Sequence, residues 1–168
     1  ESAGVAGAAR LYLLPSTKSL LGPTCYELER IAADGATVYA SYSPGGSDKH
    51  PGPWSSRLNA MFGIRHELRN GLVDPIEDDQ VTFTFSRDFG AITAGARLTF
   101  SVAGTPYGRA YLPVRPDGAE VVAVDSRGRP ALLLRRTGAG SLVLCTYPIE
   151  HMAAATPGVN PEATSVLY

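Results

Sequence analysis

The first forty residues constrain the fold of this chain more than any other stretch. Residues 11–15, LYLLP, form an apolar run closed by proline, the pattern of a buried strand that ends at a loop. GPTCYELERIAADG follows, with Gly22 and Pro23 suited to a helix cap and first turn and with Cys25, Leu28, Ile31 and Ala32 recurring on one face; Asp34 and Gly35 stop the helix. ATVYAS, residues 36–41, reads as a second buried strand. Two buried strands joined through a helix imply a parallel pairing, because a tight hairpin turn is not available to them. The opening therefore predicts a doubly wound α/β domain.

The rest of the chain predicts added β structure on that core. YSPGGSDKHPGPWSS, from Tyr42 to Ser56, is rich in glycine and proline and carries the only tryptophan, Trp54. A loop of this length inside a compact domain is more often functional or partner-facing than idle. A short helix is expected around RLNAMFG, followed by alternating runs at VTFTF, ARLTFSVA and RAYLPV. The final third predicts a meander of three strands: AEVVAVD, the turn SRGR, PALLLRRT, the turn GAG and SLVLCTY. No internal repeat interrupts the reading, and 168 residues fit a single domain, 1–168.

Composition excludes several functions. With 44% apolar residues, 18% charged residues and a net charge of -1, the chain is neither a disordered tail nor a cationic nucleic-acid binder. No apolar run approaches the roughly 20 residues needed to span a bilayer, and ESAGVAGAAR lacks the basic start and apolar centre of a signal peptide. The expectation is a cytoplasmic chain with no nucleic-acid or membrane partner, a signal upstream of Glu1 lying outside this sequence. The missing initial methionine and the ending EATSVLY, which reads as the first turn of a helix, lead to the further expectation of a fragment of a longer protein.

The chemistry-bearing residues are scattered. Cys25 and Cys145 lack the CxxC spacing and nearby histidines of a zinc site and read as reduced core thiols. SPGGSDKHPG has the glycines of a phosphate-binding loop without its GK[ST] ending, and GxGxxG is absent. Asp48, His50, His66 and His151 show no metal-ligand spacing. No two carboxylates are placed at neighbouring strand ends as a glycosidase barrel would place them. The expectation is no metal and no cofactor.

Two segments carry a family resemblance. LYLLPSTKSLLGPTCYELERIAADGATVYAS resembles the start of the class I glutamine amidotransferase-like domains carried by some glycoside hydrolases, and RPALLLRRTGAGSLVLCTYPIEH resembles a later part, where a Gly-x-Gly turn leads to a strand ending in Tyr-Pro-x-Glu. The resemblance covers residues 11–42 and 109–155. It points to the β-galactosidase trimerisation domain of glycoside hydrolase family 42 and to similar domains of family 5 β-mannosidase-like enzymes. It implies a flavodoxin-like three-layer sandwich with an added antiparallel β portion.

The resemblance also bears on catalysis. True glutamine amidotransferases carry a cysteine elbow, G-x-C-x-G, and a His-Pro-Glu segment at the end of a late strand. Here no G-x-C-x-G exists, tyrosine (Tyr147) stands where the histidine would be, and Ile149 displaces Glu150 by one position. Without a thiolate and its base the acyl-transfer mechanism has no nucleophile. Tyr147, Glu150 and His151 are thus expected to form a degenerate amidotransferase corner, with no catalytic residue.

The resemblance implies a non-catalytic accessory or oligomerisation domain that packs against a (β/α)8 barrel of the same chain or against a neighbouring subunit in a homo-oligomer. The loop bearing Asp48, His50 and Trp54 is the candidate to reach a cleft or interface, where Trp54 can stack on a carbohydrate ring or simply anchor the loop. The rival reading is a stand-alone hydrolase or small-molecule or sugar-binding protein using Glu150 and His151 at the carboxyl end of the last strand, where ligands of open α/β sheets bind. A carbohydrate-binding module is a third reading, disfavoured by a single tryptophan and a parallel opening.

Overall fold

The structure is a computed structural model, and it describes residues 9–17, 20–42, 53–67, 73–102 and 106–155. In chain order the elements are β1 (Leu11–Leu14), α1 (Gly22–Ala33), β2 (Thr37–Ser41), α2 (Pro53–Phe62), β3 (Ile64–His66), β4 (Asp74–Pro75), β5 (Gln80–Phe85) and β6 (Arg97–Ser101). A 3-10 turn at Pro106–Arg109 then leads to β7 (Ala110–Tyr111), β8 (Val114–Pro116), β9 (Glu120–Val124), β10 (Pro130–Thr137), β11 (Gly140–Cys145) and α3 (Ile149–Ala155).

The parallel opening is present. β1 pairs with β2 in parallel, Leu11 opposite Thr37 through Leu14 opposite Ala40, with α1 as the crossover. β11 closes on the other side of β2, also in parallel. From there the sheet continues antiparallel through the expected meander, giving the seven-strand order β1-β2-β11-β10-β9-β5-β6. The result is a mixed α/β fold with a parallel third and an antiparallel remainder.

Both faces of the central strands are buried, which is why β11 reads as an unbroken apolar run. Leu142 and Leu144 face α1 and α2, joining Cys25, Leu28, Ala32, Leu58, Met61 and Phe62 in one core. Val143 and Cys145 face the other way, into a core built from Tyr39, Phe83, Phe85, Phe100, Tyr111, Tyr147 and the α3 residues Ile149 and Met152.

The GAG turn does more than reverse the chain. The Ala139 N–H donates to the carbonyl of Ala33 (2.9 Å), one of the carbonyls left unpaired at the end of α1, and the Ser141 N–H donates to the carbonyl of Ala36 (3.0 Å). A Cβ at Gly138 would overlap the Ala33 carbonyl, and one at Gly140 would overlap those of Ala32 and Ala36. The two glycines let the β10–β11 hairpin seat directly on the end of α1 and the start of β2.

Three elements depart from the sequence reading. α2 begins at Pro53, so the tail of the glycine- and proline-rich stretch is already helix, with proline at the position where its missing N–H costs nothing. RAYLPV is two short strands, because Pro113 has no N–H to continue a ladder. α3, seven residues long, follows Pro148 with no apolar period long enough to announce it.

Candidate functional site

The carboxyl ends of β1, β2 and β11 lie side by side, and because β9 runs parallel to β11 its carboxyl end joins the same rim. This is where open α/β sheets place ligands. Two non-glycine residues on the rim adopt left-handed backbone, Ser16 just past β1 (φ 47) and Tyr42 just past β2 (φ 37). Such conformations cost energy and persist only where surrounding bonds enforce them. At Tyr42 one such bond is its N–H to the carbonyl of Cys145 (2.9 Å).

Glu150, in the first turn of α3, is brought to this rim. Its Oε1 accepts from the Tyr39 hydroxyl (2.7 Å) and its Oε2 accepts from the Ser41 hydroxyl. Ser41 Oγ in turn accepts from the Ser16 N–H at 2.9 Å. One carboxylate therefore ties the ends of β1 and β2 to α3. Its place at a helix start also suits a negative charge.

Tyr147 sits beside this clasp and points inward. It is fully buried, stacked on Tyr111 (centroids 5.4 Å apart) and tilted against Phe83 (5.4 Å). Its hydroxyl donates to Asp125 Oδ2 (2.8 Å) and accepts from Arg129 Nη2 (3.2 Å). Burial, then the Asp125 bond and charge, push the phenol well above its ordinary value. The phenol is therefore held neutral in an enclosed, hydrogen-bonded position.

Asp125 is the hub of the β9–β10 turn. Its side chain is 2% exposed, and its Oδ1 accepts the N–H groups of Arg127 (2.9 Å) and Arg129 (2.8 Å), while Oδ2 accepts Arg129 Nε (2.6 Å). Burial alone would raise its carboxyl. The Arg129 N–H, the Tyr147 hydroxyl and the Arg129 guanidinium outweigh that and hold it below the ordinary aspartate value. Arg129 also lies over the Tyr111 ring (4.1 Å), whose hydroxyl donates to Asp74 Oδ2 (3.1 Å). A small cavity of about 160 Å³, lined by residues that include Glu67, Asp74, Tyr111 and Arg129, opens beside this network.

Neither cysteine is placed for nucleophilic work. Cys25 is 1% exposed on the inner face of α1, and Cys145 is fully buried in β11. Burial pushes both thiols up, and for Cys145 the negative Glu150 adds to the effect.

The structure thus brings Tyr147, Glu150 and His151 together at one corner, with His151 half-buried on α3. Asp48 and His50 lie outside the described residues; Trp54 falls in the first turn of α2, where only the backbone is described. Among the described residues no three His, Cys, Asp or Glu converge as metal ligands would. Sequence reasoning missed Ser16, Tyr39, Ser41, Asp125 and Arg129. For Asp125 a signal existed, since aspartate before Ser-Arg-Gly is the residue whose side chain caps the turn amides two and four positions on.

No protein-family model matches the chain, and no curated protein matches it. Solved structures do share its fold. A GH42 β-galactosidase from G. stearothermophilus is 18% identical with a TM-score of 0.60, over 82% of this chain and 19% of that one. The exo-β-1,4-mannosidase of Opitutaceae bacterium strain TAV5 is 15% identical with a TM-score of 0.59, over 85% of this chain and 21% of that one. The chain therefore spans about a fifth of the length of these enzymes. A cytoplasmic protein of Salmonella typhimurium LT2 also matches, at 9% identity and a TM-score of 0.56, over 82% of this chain and 60% of that one. The resemblance to domains of family 42 β-galactosidases and of a β-mannosidase holds at the level of fold.

Proposed function

We propose that this chain, residues 1–168, is an accessory domain, itself without catalysis, of a larger glycoside hydrolase acting on β-linked sugars. In this reading it is a class I glutamine amidotransferase-like, flavodoxin-like three-layer domain. It packs against the catalytic barrel of the same polypeptide or against a neighbouring subunit. The observation that carries the reading is the pairing of a nearly full-length fold match with coverage of only about a fifth of two glycoside hydrolase chains. The chemistry of the rim supports it: the only two thiols are buried, the residue in the histidine position is an enclosed tyrosine, and Glu150 is engaged by Tyr39 and Ser41.

The test is the intact mass of the natural polypeptide containing this sequence, followed by glycosidase assay of that polypeptide with Glu150→Gln. A mass several times 17.7 kDa and a turnover unchanged by the substitution are expected. A mass near 17.7 kDa would overturn the accessory reading. The second reading, a small stand-alone hydrolase or sugar-binding protein using the Glu150 and His151 corner, is favoured by the Salmonella protein, of which this fold makes up 60%. It predicts that small mass and a loss of activity or binding with Glu150→Gln.

A further inference from the structure

β1 has the sequence of an interior strand and the position of an edge strand. All four of its residues, Leu11, Tyr12, Leu13 and Leu14, are apolar or aromatic, the composition of a parallel strand covered on both faces. Tyr12 and Leu14 pack on the α1 side of the sheet. Leu11 and Leu13 point to the opposite side and are 45% and 46% exposed. Across the row that contains Leu13, its neighbours Tyr39 on β2 and Val143 on β11 are 5% and 1% exposed, so cover is lost within one strand spacing. Among the described residues nothing pairs with the outer edge of β1. Natural edges are blunted with charge, proline or bulges, and β1 has none of these within Leu11–Leu14.

The handedness of the crossover says what is missing. The β1–α1–β2 connection runs inward across the sheet, and a right-handed crossover puts α1 on the Tyr12 and Leu14 face. Any further helix on a connection running inward would land on that same face. A crossover helix of the same sheet that covers Leu11 and Leu13 belongs to a connection running outward, from a strand beside β1 to one farther out.

We propose that β1 is an interior strand of the natural sheet, completed by a strand–helix–strand unit from elsewhere in the same natural polypeptide. The strand beside β1 runs parallel to it, and the helix lies over Leu11 and Leu13. The inference rests on the reading of this chain as one domain of a longer protein, which the roughly fourfold length of the β-galactosidase and mannosidase chains supplies with the needed polypeptide.

Hydrogen exchange read by mass spectrometry on a peptide spanning Leu11–Leu14 tests it, in Glu1–Tyr168 alone and in the natural polypeptide. The β1 amides that β2 leaves unbonded should exchange about 100-fold or more slower in the natural polypeptide, since local opening sets their rate. Leu11→Lys with Leu13→Lys should leave the melting temperature of Glu1–Tyr168 unchanged and lower that of the natural polypeptide. Slow exchange already in Glu1–Tyr168 would mean that the chain covers its own edge, and would overturn the proposal. Equal, fast exchange in a natural polypeptide several times 17.7 kDa would overturn the proposal and leave the accessory reading standing, whereas a natural mass near 17.7 kDa removes both.

Discussion

The parallel and antiparallel parts of the sheet meet the same requirement, closing a strand-end rim, by different means. On the antiparallel side the Asp125 carboxylate is enclosed and shared among two backbone amides, a guanidinium and a phenol, over a core of phenylalanines. On the parallel side Glu150 accepts from the hydroxyls of Tyr39 and Ser41, and the outermost strand leaves two leucines half-exposed. Among the described residues one half covers its own core, and the other leaves an apolar edge strand uncovered on one face. The difference teaches that acidic residues at a strand-end rim are not evidence of chemistry until their partners are counted.

The largest expected effect lies on the antiparallel side. Asp125→Ala leaves a guanidinium, a buried phenol and two amides without their acceptor, and a loss of about 3–5 kcal/mol is expected in urea unfolding. A loss under about 1 kcal/mol would break the contrast between the two halves. The same residue makes stability acid-sensitive. Because the native carboxyl lies below its ordinary value, its contribution is complete above the unfolded aspartate range near about 3.9 and is lost as pH falls through the native value. The melting temperature of the unaltered chain should therefore drop more steeply across that window than that of Asp125→Ala.

Gly140→Ala strikes the junction between the halves. Its Cβ would overlap the Ala36 carbonyl, so the hairpin must shift off α1, at a cost of about 1–3 kcal/mol. Glu150→Gln probes the parallel side. It keeps an acceptor for one hydroxyl and loses the charge, so thermal unfolding should register about 1 kcal/mol. A loss as large as that of Asp125→Ala would mean that the two rims are equally tied. Leu13→Ser in Glu1–Tyr168 alone should fall within about 0.5 kcal/mol of neutral, as a half-exposed position with no cover allows.

Much of this contrast was legible in the residues. LYLLP and ATVYAS with a helix between them dictate parallel strands, and the Gly-x-Gly turn and SRGR mark the meander, because each signal is local. The site was legible only in part. Glu150 stood out at the end of the last strand, yet its partners Tyr39 and Ser41 are 111 and 109 residues away. No local period encodes such a pairing. α3 escaped notice because seven residues after a proline give too few turns for a face to repeat. The exposed side of β1 escaped for the opposite reason, since its apolar run speaks for burial that the described residues do not supply.

The place of β2 between β1 and β11 has a consequence in time. Thr37 and Ser141, whose hydroxyls meet across these strands, are 104 residues apart. On a ribosome adding about 5–20 residues per second, the opening strand–helix–strand waits roughly 5–20 s for the strand that closes its inner edge. During that interval the β2 edge next to Val38 and Ala40 is bare, and the pairing that ends it is among the most non-local in the chain, the kind that slows folding. Synthesis of this protein therefore passes through a state whose early sheet is open on its inner side, and a chaperone that binds apolar strand edges has its window there.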